Sequence, residues 1–141
     1  MTHKILVFVV ALFLCLAVSS QNKHKYSPEQ FQAELEQFIA SEAALTPQEA
    51  EVFFPLHREM QKRQRAIYER MRNESKIKPT SEKECKKAIR RRDEIEIELK
   101  TIQQAYHNKF LAILTASKVY DIIKAEDRFH RQKLKKWSSK K

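Results

Sequence analysis

The chain has 141 residues and contains no glycine and only four prolines. Tight β-turns depend on glycine, asparagine or proline at fixed positions, so this composition argues against hairpins, sandwiches and barrels. It also leaves no glycine for a phosphate-binding loop or an oxyanion turn, and no nucleophile stands beside a recognisable base. We therefore expect an all-α protein that is not an enzyme and that needs no cofactor.

Long apolar runs are also scarce, and the longest lies at the N-terminus. The short basic start MTHK precedes the 14-residue run ILVFVVALFLCLAV, and Ala17, Ser19 and Ser20 supply small residues at its end. This layout is typical of a secretory signal peptide, and the run is short for a membrane span. We expect residues 1–20 to be a signal peptide that is cleaved on export; a retained membrane anchor is the alternative.

Cysteine is nearly absent beyond that segment, where Cys85 is the only one. A single cysteine cannot form an internal disulfide, so the fold must rely on packing. Three alternatives stay open for Cys85. It is a small half-buried helix residue, it pairs with a second chain in an oxidising compartment, or it is a redox-sensitive thiol beside Lys83, Lys86 and Lys87.

Positive charge is abundant, since 28 Lys and Arg face 18 Asp and Glu, a net charge of +10. Such a surface favours acidic partners, which include nucleic acid, anionic lipid and acidic protein segments. Export argues against nucleic acid. A membrane surface and acidic proteins therefore remain as expected partners.

Helix starts are the clearest local signals. The segments SPEQ (27–30), TPQE (46–49) and SEKE (81–84) each place a hydroxyl at the cap and a glutamine or glutamate three residues later. The hydroxyl accepts from an otherwise unpaired N–H, and the longer side chain reaches back to the cap. Thr115 is expected to cap a fourth helix without that reciprocal partner.

Apolar residues recur at spacings of three and four after each start, which predicts four amphipathic helices. The first spans roughly residues 28–43 and the second roughly 47–74, with Arg92 interrupting the stripe of the third. The four stripes are Phe31, Leu35, Phe38 and Ile39; Phe53, Leu56, Met60, Ile67 and Met71; Cys85, Ala88, Ile95, Leu99, Ile102, Tyr106, Phe110 and Ile113; and Val119, Ile122, Ile123, Phe129 and Trp137.

The second and third helices form a predicted hairpin whose tip is the polar segment 73–81. Pro55 is expected to bend the second helix, the alternative being that this helix begins only at Pro55. Each arm exceeds 25 residues, or roughly 40 Å. Arms of this length have few partners within one small chain, so a second copy is the expected cover. We expect one helical domain over 21–137 and a disordered basic tail over 138–141.

Two segments open with the same dipeptide, LTPQE (45–49) and LTASK (114–118). With the export signal and the four helices, they resemble the Spy/CpxP family of periplasmic stress proteins, which carry two LTxxQ motifs. Glu49 and Lys118 occupy the place of the family's glutamine; glutamate serves a capping box as glutamine does, and lysine does not. In this interpretation Leu45 and Leu114 plug two corners of the chain while Thr46 and Thr115 cap the helices that leave them.

The resemblance implies a periplasmic, cradle-shaped antiparallel dimer of bent helices that holds non-native clients on a basic concave face, with a link to envelope stress signalling. The implied function is that of an ATP-independent chaperone. A metal- or stress-sensing regulatory subunit that binds an envelope sensor protein is the alternative, and a structural protein that binds anionic lipid or cell-wall polymer is a third hypothesis.

Basic and apolar residues around the hairpin are the candidate client contacts. The bases attract acidic clients, and exposed methionine adapts to varied partners. A solvated surface and an ordinary core are the respective alternatives. The candidates are Arg58, Lys62, Arg65, Arg91, Arg92, Phe53, Phe54, Met60 and Met71.

Metal binding has weak candidates only. Glu126 and His130 are four residues apart and share a helical face. Two ligands do not fix an ion, because three or four are needed. We therefore expect no metal site.

Overall fold

The computed structural model describes residues 27–139, and within them the chain is helical with short connections and no strand. Four helices follow one another in this part of the chain: α1 (Pro28–Glu42), α2 (Pro47–Glu74), α3 (Glu82–Leu111) and α4 (Ala116–Ser138). The expectation of an all-α fold with four helices is thereby confirmed for residues 27–139. The signal peptide predicted over residues 1–20 lies outside the described residues.

The chain divides into two compact units, Met1–Phe31 and Gln32–Lys141. Of the first unit, the described part is the start of α1. Ser27 caps it there, because its hydroxyl accepts from the Gln30 N–H at 3.2 Å while the Gln30 side chain accepts from the Ser27 N–H at 3.1 Å. Across residues 27–139, no helix combines the length and the apolar composition that a membrane crossing requires.

The other predicted caps also form. Thr46 and Glu49 make the reciprocal pair of a capping box, with bonds of 3.2 and 2.9 Å. The Ser81 hydroxyl accepts from the Glu84 N–H at 3.2 Å, but the Glu84 carboxylate accepts mainly from Thr80, through its N–H at 2.7 Å and its hydroxyl at 2.9 Å. Each start therefore satisfies N–H groups that the helix itself leaves unpaired.

Helix α2 is continuous through Pro55, so the alternative that it begins at that proline is wrong. Proline has no N–H, and the carbonyl four residues earlier therefore loses its helical bond. Pro55 is exposed, and Phe53 and Phe54 beside it are buried. The position of the missing hydrogen bond therefore faces solvent. The cap at Thr46 and the buried rings of Phe53 and Phe54 stabilise the first turns of the helix.

The second residue after the end of α1 has an unusual backbone conformation. Ala44 has a φ of +46°, the left-handed region that glycine normally occupies at a helix end. The Leu45 N–H reaches back to the Ala40 carbonyl at 3.0 Å, which is the long bond of a Schellman motif. A chain without glycine has to hold an alanine in this conformation, at a cost of roughly 1 kcal/mol.

Within the second unit the helices pack mainly at the end of the hairpin farthest from its tip. Helices α2 and α3 run antiparallel, and the ring centroids of Phe53 and Phe110 lie 4.8 Å apart. Helix α1 lies against α2 through the Arg58–Glu36 ion pair and against α4 through Phe38 and Phe129, whose rings are 5.6 Å apart. We call this four-helix end of the unit the base of the hairpin.

The core lies at this base. The buried apolar side chains there are Leu35, Ile39, Ala43, Phe53, Phe54, Met60, Tyr106, Phe110, Leu114, Val119, Ile122, Ala125 and Phe129. Toward the tip, the buried apolar side chains of α2 and α3 are Ile67 and Ile95. The predicted stripes are therefore buried at one end only, and Ala88 and Trp137 on them are exposed.

The predicted disordered tail is wrong at its start, because α4 continues to Ser138 and Ser139 caps it. The Ser139 N–H and the Ser138 hydroxyl both donate to the Lys135 carbonyl, at 3.1 and 2.9 Å. Lys135 and Lys136 in the last turn also oppose the negative end of the helix dipole. Residues 140–141 lie outside the described part of the chain.

Candidate functional site

The two Leu-Thr segments meet in the structure. The Lys118 ammonium forms an ion pair with the Glu49 carboxylate and donates to the Ala44 carbonyl at 3.2 Å. Lys118 therefore does not cap its own helix; it joins the start of α4 to the start of α2 and to the left-handed residue before it. The hydrogen bond from Lys118, and a second from the Thr46 N–H, lower the pKa of Glu49 from its ordinary value of 4.5.

A second contact joins the same two helices deeper in the core. His57 is fully buried, and its Nε2 lies 2.7 Å from the Glu126 carboxylate. Its ring stacks on Phe53 at 5.3 Å between centroids. Among residues 27–139 the His57 Nδ1 has no hydrogen-bond partner. Glu126 thus provides a polar partner for the Nε2 atom of a histidine placed among aromatic rings.

Both contacts join residues that are 69 positions apart, which is also the separation of Thr46 from Thr115. A constant offset means that the first turns of α2 and α4 run parallel and in register. We call the pairs Glu49–Lys118 and His57–Glu126 the polar clasp. The clasp joins α4 to α2 at the base of the hairpin, whereas toward the tip Ile67 and Ile95 are the buried apolar side chains of α2 and α3.

The tip carries an open groove of about 1470 Å³ between the ends of α2 and α3, which we call the hairpin groove. Its walls alternate apolar and basic side chains, and the three acidic residues are Glu69, Glu74 and Glu84. The apolar lining includes Tyr68, Met71, Ile77, Ala88 and Ile89, and the basic lining is Arg65, Arg72, Lys78, Lys87, Arg91 and Arg92.

The apolar side chains of the groove are exposed to an unusual degree. Ile77 is 78% exposed, Ile89 61% and Tyr68 47%. Single exposed apolar residues are ordinary on protein surfaces, but a contiguous group that lines a concavity marks an interaction site. The hairpin groove is therefore the candidate site of this chain.

The groove is also strongly basic. Segment 62–92 contains thirteen Lys and Arg against four Asp and Glu, a net charge of +9. Arg91 is paired with Glu74 at 3.2 Å and with Glu94 at 3.3 Å. The basic lining residues that form no ion pair within the described part of the chain are Arg65, Arg72, Lys78 and Lys87. Their uncompensated charge makes the groove attractive to anions.

Four of the candidate client contacts line the groove, namely Arg65, Met71, Arg91 and Arg92. Arg92, which interrupts the predicted stripe, is exposed and pairs with Glu96 at 3.1 Å. The structure does not bring the others to the groove. Lys62 is exposed elsewhere on α2, and Arg58 is bound to Glu36 through two bonds of 2.6 and 2.7 Å.

Phe53, Phe54 and Met60 are wrong as exposed client contacts. They are 0%, 8% and 3% exposed, because α1, α3 and α4 cover this part of α2. The exposed apolar residues that line the groove are instead Tyr68, Ile77 and Ile89, which were not predicted. These three residues lie outside the predicted apolar stripes. The sequence therefore indicated that no other helix would pack against them.

The residues of the two Leu-Thr segments lie at the starts of α2 and α4. Thr46 and Thr115 cap α2 and α4, and Glu49 completes the first capping box. Leu114 is buried and Leu45 half-buried at the two corners. The clasp itself was not predicted, although its 69-residue offset equals that of the Leu-Thr repeat.

The weak metal candidates do not converge. Glu126 is held by His57, whereas His130 is exposed on the outside of α4. Within residues 27–139, no group of three His, Cys, Asp or Glu side chains is placed to hold a metal ion. Cys85 is a half-buried free thiol near the start of α3.

No family model, curated protein or solved structure matches the chain.

We expect the Glu49–Lys118 pair to make stability depend on pH. The folded-state pKa of Glu49 lies below 4.5, so its contribution is complete above that pH and is lost as the pH falls through the lowered value. Glu49→Gln should unfold at a lower urea concentration than the wild type at pH 7, and the difference should shrink as the pH falls below 4.5.

The matched control is Glu51→Gln, which changes an exposed carboxylate two residues away. It should change the urea midpoint of unfolding little, both at pH 7 and below pH 4.5. A Glu49→Gln difference that stayed constant over the whole pH range would contradict the assignment.

Proposed function

We propose that this protein is an exported, ATP-independent chaperone that holds non-native or acidic proteins on the hairpin groove. The proposal is supported by the coincidence, in one groove, of exposed apolar side chains with four bases, Arg65, Arg72, Lys78 and Lys87, that form no ion pair with any of residues 27–139. The Leu-Thr segments, through their resemblance to the Spy/CpxP family, support the same assignment and a periplasmic role in envelope stress.

Capture begins electrostatically. A local net charge of +9 over segment 62–92 raises the encounter rate with acidic chains. Salt screens charges at the surface over about 8 Å at physiological ionic strength, so this phase weakens as salt increases. Charge thus brings a client to the hairpin but does not by itself retain the client there.

Retention depends on dispersed apolar contacts. Tyr68 and Ile89 offer exposed apolar area, and Met71 has a flexible side chain that fits irregular partners. No enclosed pocket selects one side chain, because the groove is open along the hairpin. Contacts of this kind are weak and exchangeable, which suits a surface that takes many sequences.

The proposed working form is an antiparallel dimer in which a second copy covers part of the exposed hairpin. Toward the tip, Ile67 and Ile95 are the buried apolar residues of α2 and α3, which is little for two arms of this length. Pairing two hairpins side by side would bury apolar area and leave a concave basic face between them. That arrangement is the cradle that the family resemblance implies.

The client-holding proposal is tested by replacing groove residues. The double variant Ile89→Ser/Arg92→Gln removes one apolar and one basic wall residue, both exposed, so the fold should be kept. We expect it to require on the order of fivefold more protein than the wild type to suppress aggregation of a chemically denatured client, measured by light scattering. Added salt should weaken the wild-type protein in the same assay.

The matched control is Leu111→Ser/Lys124→Gln, which changes exposed residues outside the groove. It should suppress aggregation as the wild type does. Equal activity of both double variants, or no suppression by the wild-type protein at several-fold molar excess, would refute client holding by this groove.

The dimer is tested by light scattering on the purified protein. We expect a mass twice that of one chain, unchanged by reductant, because packing of hairpins and not Cys85 would join the copies. A dimer that dissociates on reduction would assign the contact to a Cys85 disulfide, and a single-chain mass at working concentration would contradict the dimer.

A further inference from the structure

The C-terminal end of α4 carries a second exposed surface that the hairpin groove does not include. Leu134 is 63% exposed and Trp137 50% exposed, so no described part of the chain covers them. They are three residues apart, which places them on the same face of the helix. Phe129, one to two turns earlier, is buried against α1, and Lys133 pairs with Glu34 of α1, so the exposed face begins where these contacts of α4 with α1 end.

Bases surround these two side chains. From Arg128 to Lys141 the chain has seven Lys and Arg and no Asp or Glu. At 3.6 residues per turn, Arg131 and Lys135 lie on one side of the Leu134–Trp137 face, and Lys136 lies on the other. All three are exposed. The result is a short apolar strip between two basic edges.

We propose that this end of α4, residues 131–139, docks on the surface of an anionic lipid bilayer. Tryptophan is suited to the bilayer interface, because its ring is apolar and its N–H reaches the headgroups. Leu134 beside it reaches the acyl boundary while the flanking bases meet lipid phosphates. The charge complementarity selects an anionic surface, and a neutral one offers the bases no counterpart.

The shape of the strip favours a bilayer over a protein partner. A helix that binds in a protein groove presents anchors over several turns, at spacings of three, four and seven residues. Here the exposed apolar strip has two side chains and ends with the helix at Ser138. A bilayer needs no further anchors. This inference does not rest on client holding, since it uses no residue of the hairpin groove.

Trp137 supplies the measurement, because it is the only tryptophan of the chain and its emission therefore reports this segment alone. The full chain is titrated with vesicles of phosphatidylcholine alone and with vesicles that contain one quarter phosphatidylglycerol. We expect a blue shift of Trp137 emission and protection from acrylamide quenching with the anionic vesicles only, both reversed by salt.

Two triple variants, each with three positive charges removed, test which bases bind the anionic vesicles. Each base near an anionic surface is worth roughly a fivefold change in partitioning, so Arg131→Gln/Lys135→Gln/Lys136→Gln should bind about a hundredfold more weakly. The control Lys76→Gln/Lys83→Gln/Arg90→Gln removes three bases of the hairpin and should stay within about threefold of the wild type. Circular dichroism verifies that both variants keep the wild-type helix content.

Several results would overturn the proposal. They are no change in Trp137 emission with anionic vesicles, an equal change with neutral ones, and equal weakening by both triple variants. A shift produced by polyglutamate but not by vesicles would assign the surface to acidic proteins. A shift that grows with protein concentration alone would assign it to a second copy of the chain.

Discussion

The hydrogen bond between His57 and Glu126 determines how the helices pack at the base of the hairpin. A fully buried histidine among phenylalanine rings must keep a polar partner, since an unsatisfied buried group costs about 1–3 kcal/mol. Glu126 supplies that partner from another helix, 69 residues away. Together with the Glu49–Lys118 pair at the same offset, this bond sets the register of α4 on α2 and therefore the position of the whole core.

The placement of the core explains why the candidate surfaces lie where they do. Residues that pack around the clasp are buried, and α2 and α3 continue past them toward a tip with little apolar cover. The last turns of α4 likewise extend beyond its contacts with α1 and are exposed. These exposed parts, the hairpin segment and the end of α4, are both strongly basic. The folded base thus carries two basic, partly apolar extensions that differ in shape.

The helices themselves were predictable because their signals are local. Ser27, Thr46, Ser81 and Thr115 each cap a helix as the sequence indicates, and the predicted span 47–74 is the observed span of α2. A cap needs only its own first turn, so no tertiary information is required. The lack of glycine predicted the fold class, but not that Ala44 would adopt a left-handed conformation held by Lys118.

The candidate site was predictable only in part, because periodicity identifies an apolar face without showing what covers it. Phe53, Ile95 and Trp137 all lie on predicted apolar stripes. Phe53 and Ile95 are buried, whereas Trp137 is exposed. Ile77 and Ile89 fell outside every stripe and line the groove. The His57–Glu126 bond joins positions that no local spacing relates, so it appears only once the helices are packed.

A double-mutant cycle on His57 and Glu126 measures how much these two side chains stabilise each other. The free energy of unfolding is measured with urea for the wild type, His57→Leu, Glu126→Gln and the double variant. We expect the two substitutions not to be additive, with a favourable coupling of about 1 kcal/mol or more. Additivity within about 0.3 kcal/mol would show that the two side chains do not stabilise each other and that their hydrogen bond does not determine the packing of α4 on α2.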